Sequence, residues 1–562
     1  MIPRRVSWLM LISAISYALW LGAAWGLEVA WLKGRTIGHV FFEAQDLPAL
    51  AMGCVALFFG GLALRWVPKG GWRWGDDRRM VGLLIGLVAC SAWTGRYWLF
   101  GNYSLSRDEE VAEFAAKAMS DGWLARPIPP EWLDYRRAIM PEFFSPFGAD
   151  KYWNSAYLPL NSAFRALCGW LGDANLSGPL FLIIGLIALW RAALRIMPEG
   201  RSDALAVTML MALTSTQLLV TGMTPYAMTG HFALNMVWLA LMLRGDRLGH
   251  VGAGLTVLLL AGLHQYHYPL VFLTPFLLWF ALSRRWGALL FHGAILALAV
   301  VIWARLWPSL LTDLYGPAAD VRPSAGVADK MQSLAERLEK WRPLLYMSRF
   351  FAWNNLLLVP LALIGLWRMG WGAALKGERV ALPLGLGALG MAALAIDPGY
   401  GWGYRYLHGF IGSFALLAGL GWASFRRPDS RLLSASVLIA LLTGSFLMAR
   451  ARDYVAPYAE VHRRIMASGA DVVLVDPRAG RYVTDVVRGP GSDPLGHPVV
   501  MHIGWLTPRK VDALCARHPD IAILDISTFG PMGVGIVPWG SRWIAGLREQ
   551  MERQGCGRVI AP

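Results

Sequence analysis

Charged residues are scarce. They make up 16% of the 562-residue chain, against about 25% in an ordinary soluble domain, while 56% of the residues are hydrophobic. Cysteine is scarcer still: there are five, too few for a disulfide framework to stand in for a core. Cys54 and Cys90 fall in apolar runs and read as packing residues. Cys515 and Cys556 lie near the C-terminus, either as two free thiols or as one pair. The C-terminal part has no glycine-rich phosphate loop, and no internal repeat is evident. Acidic residues number 37 against 52 basic ones, a net charge of +15. On a soluble chain that excess would suggest nucleic acid. Here the basic residues sit between apolar blocks, so no nucleic-acid partner is expected and the charge reads as a signal of membrane topology.

What is abundant comes in blocks. Val81–Ala92, Phe181–Leu189, Val251–Leu263 and Leu432–Met448 contain almost no charge, and each with its flanks reaches roughly 18–22 residues, enough to span about 30 Å of hydrocarbon as a helix. One such block could be a buried core helix. So many in one chain cannot all hide in one soluble core. The start, Met-Ile-Pro followed by Arg4 and Arg5, mimics a signal peptide, but the apolar run from Val6 to Trp31 is too long for one and reads as a retained first helix. Helices are expected at about 6–31, 48–66, 80–100, 176–195, 203–220, 229–243, 250–264, 267–283, 287–306, 350–368, 380–396, 406–424 and 431–449, about 13 spans in all. The expected fold class is therefore a polytopic α-helical membrane protein.

Orientation follows from charge. With the N-terminus in the cytoplasm, the inward segments carry about 20 basic residues and the short outward loops about three, Lys33, Arg35 and Arg405. This places the long segments 101–175, 307–349 and 450–562 outside the cytoplasm. Asp108–Ser120 reads as an amphipathic helix. A dense aromatic run follows it (Trp132, Phe143, Phe144, Phe147, Tyr152 and Trp153) and suits the membrane interface. Residues 325–342 read as a second interfacial helix, with Met331, Leu334, Leu338 and Trp341 at helical spacing. The tail alternates helix and strand: helix-like Tyr458–Ser468, strands at Asp471–Asp476 and Ile521–Asp525, helices at Thr507–His518 and Ser541–Gln554. That order predicts a small extracytoplasmic α/β domain. Three regions result: two helices in 1–78, a main membrane region in 79–449, and the tail 450–562.

Three polar clusters fall on the predicted outer face. The first, Ser106-Arg107-Asp108-Glu109-Glu110, sits where a helix starts. Ser106 and Glu109 fit a capping box, a purely structural use, while an acidic pair beside the membrane could also act as a base. The second contains His264 and His267. Two histidines at i, i+3 could bind zinc, but further ligands are not evident, and hydrogen bonding at the surface is the simpler use. The third runs from Asp397 through Tyr400, Gly401, Trp402, Gly403, Tyr404 and Arg405 to His408. An arginine at the outer boundary can fork onto a phosphate, or merely snorkel to the interface. A carboxylate, polar donors and a cation beside lipid headgroups suit a transferase with a lipid phosphate as leaving group.

At these residues the chain resembles the glycosyltransferase C superfamily, especially its protein O-mannosyltransferase and aminoarabinose transferase branch. The acidic pair Asp108-Glu109 early in the first large outward loop carries the resemblance, with Leu263-His264-Gln265 and Gly401–Tyr406 similar to later loops. Two departures stand out. Relatives carry a Lys-Tyr-Pro-Pro-Gly type stretch where this chain has Ser155-Ala-Tyr157-Leu-Pro159-Leu-Asn161, and residues 1–78 precede the usual start. The resemblance implies inverting transfer of a sugar from a polyprenyl-phosphate donor to an acceptor hydroxyl on a glycan, lipid or protein, at a bacterial-type inner membrane. It implies Asp108 as base, Glu109 as its acidic neighbour, and Arg405, His264, His267 and Tyr404 on the donor phosphate side. Arg107, Tyr157 and Asn161 are candidates for acceptor contacts. No cofactor or bound metal is expected, although some superfamily members use a divalent ion. A polysaccharide polymerase or ligase, and a lipid or solute transporter or flippase, are the competing expectations.

Overall fold

The computed structural model describes residues 3–27, 37–67, 72–140, 142, 144–148, 151–317, 342–394, 401–426, 428–480, 483–532 and 542–560. The expected interfacial helix at 325–342, except its last residue, and the stretch Asp397–Tyr400 lie outside them. The chain forms two compact units. One comprises Met1–Gly95, Leu176–Arg305 and Pro323–Ala451; the other comprises Arg96–Asn175, Leu306–Arg322 and Arg452–Pro562.

The first unit is helical. Among the described residues of the whole chain, seven helices are long and apolar enough to cross a membrane: Trp8–Leu27, Gly38–Leu62, Arg78–Trp98, Ala174–Ile196, Trp286–Tyr315, Arg405–Ala423 and Ser430–Ala467. Six shorter apolar helices accompany them, Ser202–Leu213, Met228–Met242, Arg247–Ala261, His267–Leu282, Leu358–Trp367 and Ala381–Ala393. Leu19, Leu83, Leu290 and Leu363 stand exposed on their helices, as lipid-facing side chains do where the bilayer replaces water. Helices approach closely where both carry glycine. A Cβ on Gly365 would lie 2.2 Å from the Leu417 carbonyl oxygen, and one on Gly421 would lie 2.0 Å from that of Leu361, so Leu358–Trp367 and Ile411–Ala423 pack almost backbone to backbone.

The helix expected over 287–306 runs on to Tyr315 through a π-helical turn, Ile302–Leu306. The boundaries differ from expectation in four further places, each with a local cause. The second helix begins well before residue 48 and contains a π-helical turn, Phe42–Asp46, which carries Asp46 into the bundle. The segment expected as one helix over 203–220 is broken at Ser215, whose hydroxyl caps a new turn by accepting from the Leu218 amide at 3.1 Å. The segment expected over 350–368 is two helices, Arg342–Ala352 and Leu358–Trp367, separated at Asn354 and Asn355. Asn354 donates to the Phe350 carbonyl and Asn355 Oδ1 accepts from the Leu357 amide, so side chains replace the lost helical bonds. Finally, the helix expected to end near 449 continues to Ala467 with Pro457 inside it, absorbing the separate helix expected at 458–468.

The second unit holds both sheets. Strands β1 (Arg126–Pro127), β2 (Phe144–Phe147) and β3 (Tyr152–Ser155) form an antiparallel sheet in the order β1-β3-β2, with Phe147 opposite Tyr152 and Phe144 opposite Ser155. The aromatic run expected at the interface is thus partly strand. Strands β4 (Val472–Val475), β5 (Val499–His502), β6 (Ile521–Leu524) and β7 (Arg558–Val559) form a parallel sheet in the order β5-β4-β6-β7. All of β4 and β6 is buried, which fits a parallel sheet covered on both faces. Its core is common to the first loop and the tail: Phe114, Ile139 and Trp153 pack with Leu474, Met501, Ile523 and Met551. Cys515 and Cys556, open to either state in the sequence, are joined in a disulfide that ties helix Pro508–Arg517 to the segment before β7.

That bridge closes a loop of 41 residues, so Cys515→Ser is expected to destabilise the tail by roughly 4 kcal/mol through loss of loop-closure restraint. Pulse proteolysis of the purified protein, with and without reductant, measures it. Reductant should sensitise the tail of the wild type and leave the variant unchanged.

Candidate functional site

Helix Arg107–Ser120 begins with three carboxylates in its first turn, Asp108, Glu109 and Glu110, where the positive end of the helix dipole favours them. Their surroundings divide their roles. Glu109 is 2% exposed. Its Oε2 accepts from the Ser106 amide at 2.9 Å and from the Ser106 hydroxyl at 3.1 Å, while Ser106 Oγ accepts from the Glu109 amide, completing the capping box. Burial pushes the Glu109 carboxyl up to about 7, the Ser106 bonds and the Arg96 charge opposing. Glu110 is buried and pairs with the Arg107 guanidinium; burial raises its carboxyl and Arg107 opposes the rise. Asp108 is the one carboxylate of the turn that is not buried. Its Oδ1 accepts a hydrogen bond from the Tyr157 hydroxyl.

The structure therefore brings Asp108 and Tyr157 together. Asn161 lies buried on helix Leu160–Trp170, which packs on the acidic helix. Glu109 and Arg107, expected as a catalytic neighbour and an acceptor contact, occupy structural positions. Glu109 forms the cap. Arg107 is 2% exposed and donates to the Val487 carbonyl at 2.7 Å and the Thr484 carbonyl at 2.6 Å.

Arg405 belongs to the other compact unit. It opens the 3-10 turn Arg405–Phe410, and its guanidinium lies 5.4 Å from the ring centre of Tyr226 and 5.1 Å from that of Tyr406, both within cation–π range. Tyr406 stacks on Tyr268 at 5.5 Å. The ring of Tyr268 also meets His264 at 5.8 Å, His267 at 4.6 Å and His231 at 5.6 Å. Both predicted histidines thus approach Arg405 through one aromatic ring. A slot of about 20 Å³ bounded by His231, Asn235, Tyr268, Arg405 and Tyr406 lies beside them, room for roughly one water. Tyr404 is 1% exposed and contributes its backbone: its carbonyl accepts from Gln217 Nε2 at 2.8 Å.

Two polar hubs escaped the sequence reading. In the helical unit, Asp46 and Arg349 are fully buried and paired at 3.2 Å. Trp353 donates to Asp46 at 2.7 Å, and Arg349 donates to the Gly401 carbonyl at 2.7 Å. In the second unit Glu113 collects Arg96 at 2.9 Å, Ser104 at 2.8 Å and Arg165 at 3.1 Å. Burial would raise its carboxyl, but Arg96, Arg165 and Ser104 outweigh it and hold it below its ordinary value. The capping box was visible as a four-residue pattern. These hubs join residues far apart in sequence and left no local signal. A larger cavity of about 530 Å³ in the helical unit is lined by Arg195, Arg285, Arg368 and Arg379. Helices Ser177–Ile196, Met228–Met242, His267–Leu282, Leu358–Trp367 and Ile411–Ala423 all end around it, so these guanidiniums complement helix C-termini. Among the described residues, His, Cys, Asp and Glu form no group of three that could hold a metal ion.

Spanning helices with polar clusters at loop junctions define a multi-pass helical membrane protein. No protein-family model matches the chain, and no curated protein matches it. Solved structures do. ArnT from Cupriavidus metallidurans bound to undecaprenyl phosphate is similar at a TM-score of 0.48 and 13% identity, over 85% of this chain and 89% of that one. The same protein in its apo state gives 0.42 and 13%, over 85% and 88%. The archaeal oligosaccharyltransferase AglB from Archaeoglobus fulgidus, in complex with an inhibitory peptide and a dolichol-phosphate, gives 0.39 and 12%, over 68% of this chain and 57% of that one.

The cap makes a prediction with a sign. The folded Glu109 carboxyl keeps its proton up to about 7, whereas the unfolded one releases it near 4.5. Its contribution is therefore full below pH 4.5 and is lost as pH rises through 7. Glu109→Gln keeps an acceptor for the cap and removes this titration. Its thermal midpoint should depend less on pH between about 4.5 and 7 than that of the wild type, whereas Glu109→Ala should lose about 1 kcal/mol from the missing cap bonds.

Proposed function

We propose that the chain is a membrane glycosyltransferase that moves a sugar from a polyprenyl-phosphate donor to an acceptor hydroxyl at the extracytoplasmic surface. One observation carries the reading. Of the three carboxylates that open helix Arg107–Ser120, Glu109 and Glu110 are buried in structural bonds, and Asp108 alone is partly exposed and oriented by a tyrosine hydroxyl. A partly exposed, oriented carboxylate at a helix start suits a general base. In this reading Asp108 takes the proton of the acceptor hydroxyl. The acceptor oxygen then bonds to the anomeric carbon as the bond from that carbon to the phosphate oxygen breaks, and polyprenyl phosphate leaves with inversion. Arg405, carried between Tyr226 and Tyr406, would bear the charge of the departing phosphate. His264, His267 and Tyr404 would shape the donor side. The Cys515–Cys556 disulfide supports a tail outside the reducing cytoplasm.

A lipid or solute transporter is the second reading. The buried Asp46–Arg349 pair favours it, because ionisable residues inside a helical bundle often mark a translocation path. Against it, the pair is bonded to Trp353 and to the Gly401 carbonyl, which makes it a support for the loop that ends in Arg405.

The deciding experiment supplies purified protein with a panel of polyprenyl-phosphate sugars and measures release of polyprenyl phosphate. Asp108→Asn should lose about 10²- to 10⁴-fold in turnover, the usual contribution of a general base, with expression and thermal midpoint retained. Tyr157→Phe should lose less. Equal turnover by wild type and Asp108→Asn removes Asp108 from the mechanism; substrate movement across vesicles without turnover selects the transporter.

A further inference from the structure

We infer that Arg488 of the tail is a positioning residue for Asp108, acting with Arg107 as a two-way clamp across the start of the acidic helix. The inference rests on the glycosyl-transfer reading and adds a role for the tail. Arg488 is 5% exposed. Its Nη1 donates to the Ser104 carbonyl and its Nη2 to the Leu105 carbonyl at 3.4 Å, while Nε and Nη2 hold the Asp485 carbonyl at 2.9 and 2.6 Å. The same guanidinium lies 4.6 Å from the ring centre of Tyr103. In the opposite direction Arg107 donates to the carbonyls of Thr484 and Val487. Each segment thus puts an arginine on the backbone of the other, two residues before Ser106 on one side and one after it on the other. Ser106 is the helix cap and Asp108 the second residue beyond it, so the clamp grips the peptide units that set where the carboxylate stands.

The carboxylates of Glu110, Glu113 and Asp485 act on the charge of Arg488 through space, but the hydrogen bonds that fix its direction go to neutral backbone carbonyls. A buried guanidinium needs several donors satisfied at once, and its planar fork fixes the direction of each acceptor, which a single ammonium cannot do. One further contact joins the same surfaces, Ser492 Oγ donating to Glu113 Oε2 at 3.2 Å, and Asp493 beside it pairs with Arg126 of β1 at 2.8 Å. The segment Val483–Asp493 is therefore a backing plate for helix Arg107–Ser120 along its first two turns. A reaction that needs near-contact geometry loses about 10²-fold when a group is displaced by about 1 Å.

The test compares wild type, Arg488→Ala, Arg488→Lys and Asp108→Asn, each purified in full length. Two readouts are needed: hydrogen exchange of the 104–111 amides, and kcat and KM for release of polyprenyl phosphate. In Arg488→Ala the Glu109 and Glu110 amides should exchange faster. Its kcat should fall about 10²-fold with donor KM little changed, and Arg488→Lys should lie between. Unchanged exchange over 104–111 overturns the clamp. So does full kcat in Arg488→Ala when Asp108→Asn is inactive, or a raised KM at unchanged kcat. If Asp108→Asn is fully active, Asp108 leaves the mechanism while transfer stands, and exchange alone then judges the clamp. If Arg488→Ala does not fold, Arg488→Lys and Arg107→Lys give the same two readouts.

Discussion

A backbone carbonyl removed from water must find a donor, and leaving one unpaired costs about 1–3 kcal/mol. In a chain this apolar the constraint governs every place where a helix stops. The structure meets it with long polar side chains reaching across sequence. Gln217 serves Tyr404, Arg349 serves Gly401 and Asn235 serves Gly409. Arg96 serves Tyr103, Arg107 serves Thr484 and Val487, and Arg488 serves Ser104 and Leu105. Non-helical backbone is tolerable at membrane depth only where protein groups satisfy it. The backbone that leads into Asp108 and the backbone that leads into Arg405 are both so served.

The same economy sorts the acidic residues. Four carboxylates crowd the first two turns of helix Arg107–Ser120, and a buried charge without partners would be prohibitive. Glu109 closes the cap, Glu110 faces Arg107, and Glu113 sits among Arg96, Arg165 and Ser104. Three carboxylates thus stabilise the helix start and its contacts. The fourth, Asp108, is left at the surface with a tyrosine to orient it. An acidic cluster read from sequence looks like one site. In three dimensions it is one partly exposed group, Asp108, on a platform built by three carboxylates that are bound to partners.

Legibility followed the range of the interactions. Hydropathy runs marked a helix or helix pair at each expected span, because the apolar pattern is local and the bilayer sets its length. The capping box was legible for the same reason: Ser106 and Glu109 are three residues apart. The breaks at Ser215 and Asn354 were not, since their side chains bond each other at 2.6 Å across 139 residues. Arg405 announced itself through its glycine- and aromatic-rich neighbours, yet Tyr226 and Tyr268, which complete its surroundings, come from a distant loop and another helix. Arg107 invited assignment to a substrate because it adjoins Asp108. Only the fold reveals that its partners are carbonyls 377 and 380 residues away.

The loop that delivers Arg405 shows why its glycines are required. Gly401 has φ +133° and Gly403 φ +66°, conformations that residues with a Cβ rarely adopt. Space forbids a side chain as well: a Cβ on Gly403 would lie 2.6 Å from Gln217 Oε1. That oxygen cannot retreat easily, because Asn354 donates to it at 3.2 Å and the same amide group holds the Tyr404 carbonyl. On the other side of Trp402, the Gly401 carbonyl is fixed by Arg349, whose charge is balanced by Asp46 in the π-helical turn. The backbone entering Arg405 is therefore held at two carbonyls by side chains that are themselves held. Arg405 stands at the end of a rigid lead-in rather than on a free loop. That rigidity is what a cation needs if it is to meet a developing phosphate charge without reorganising as the charge appears.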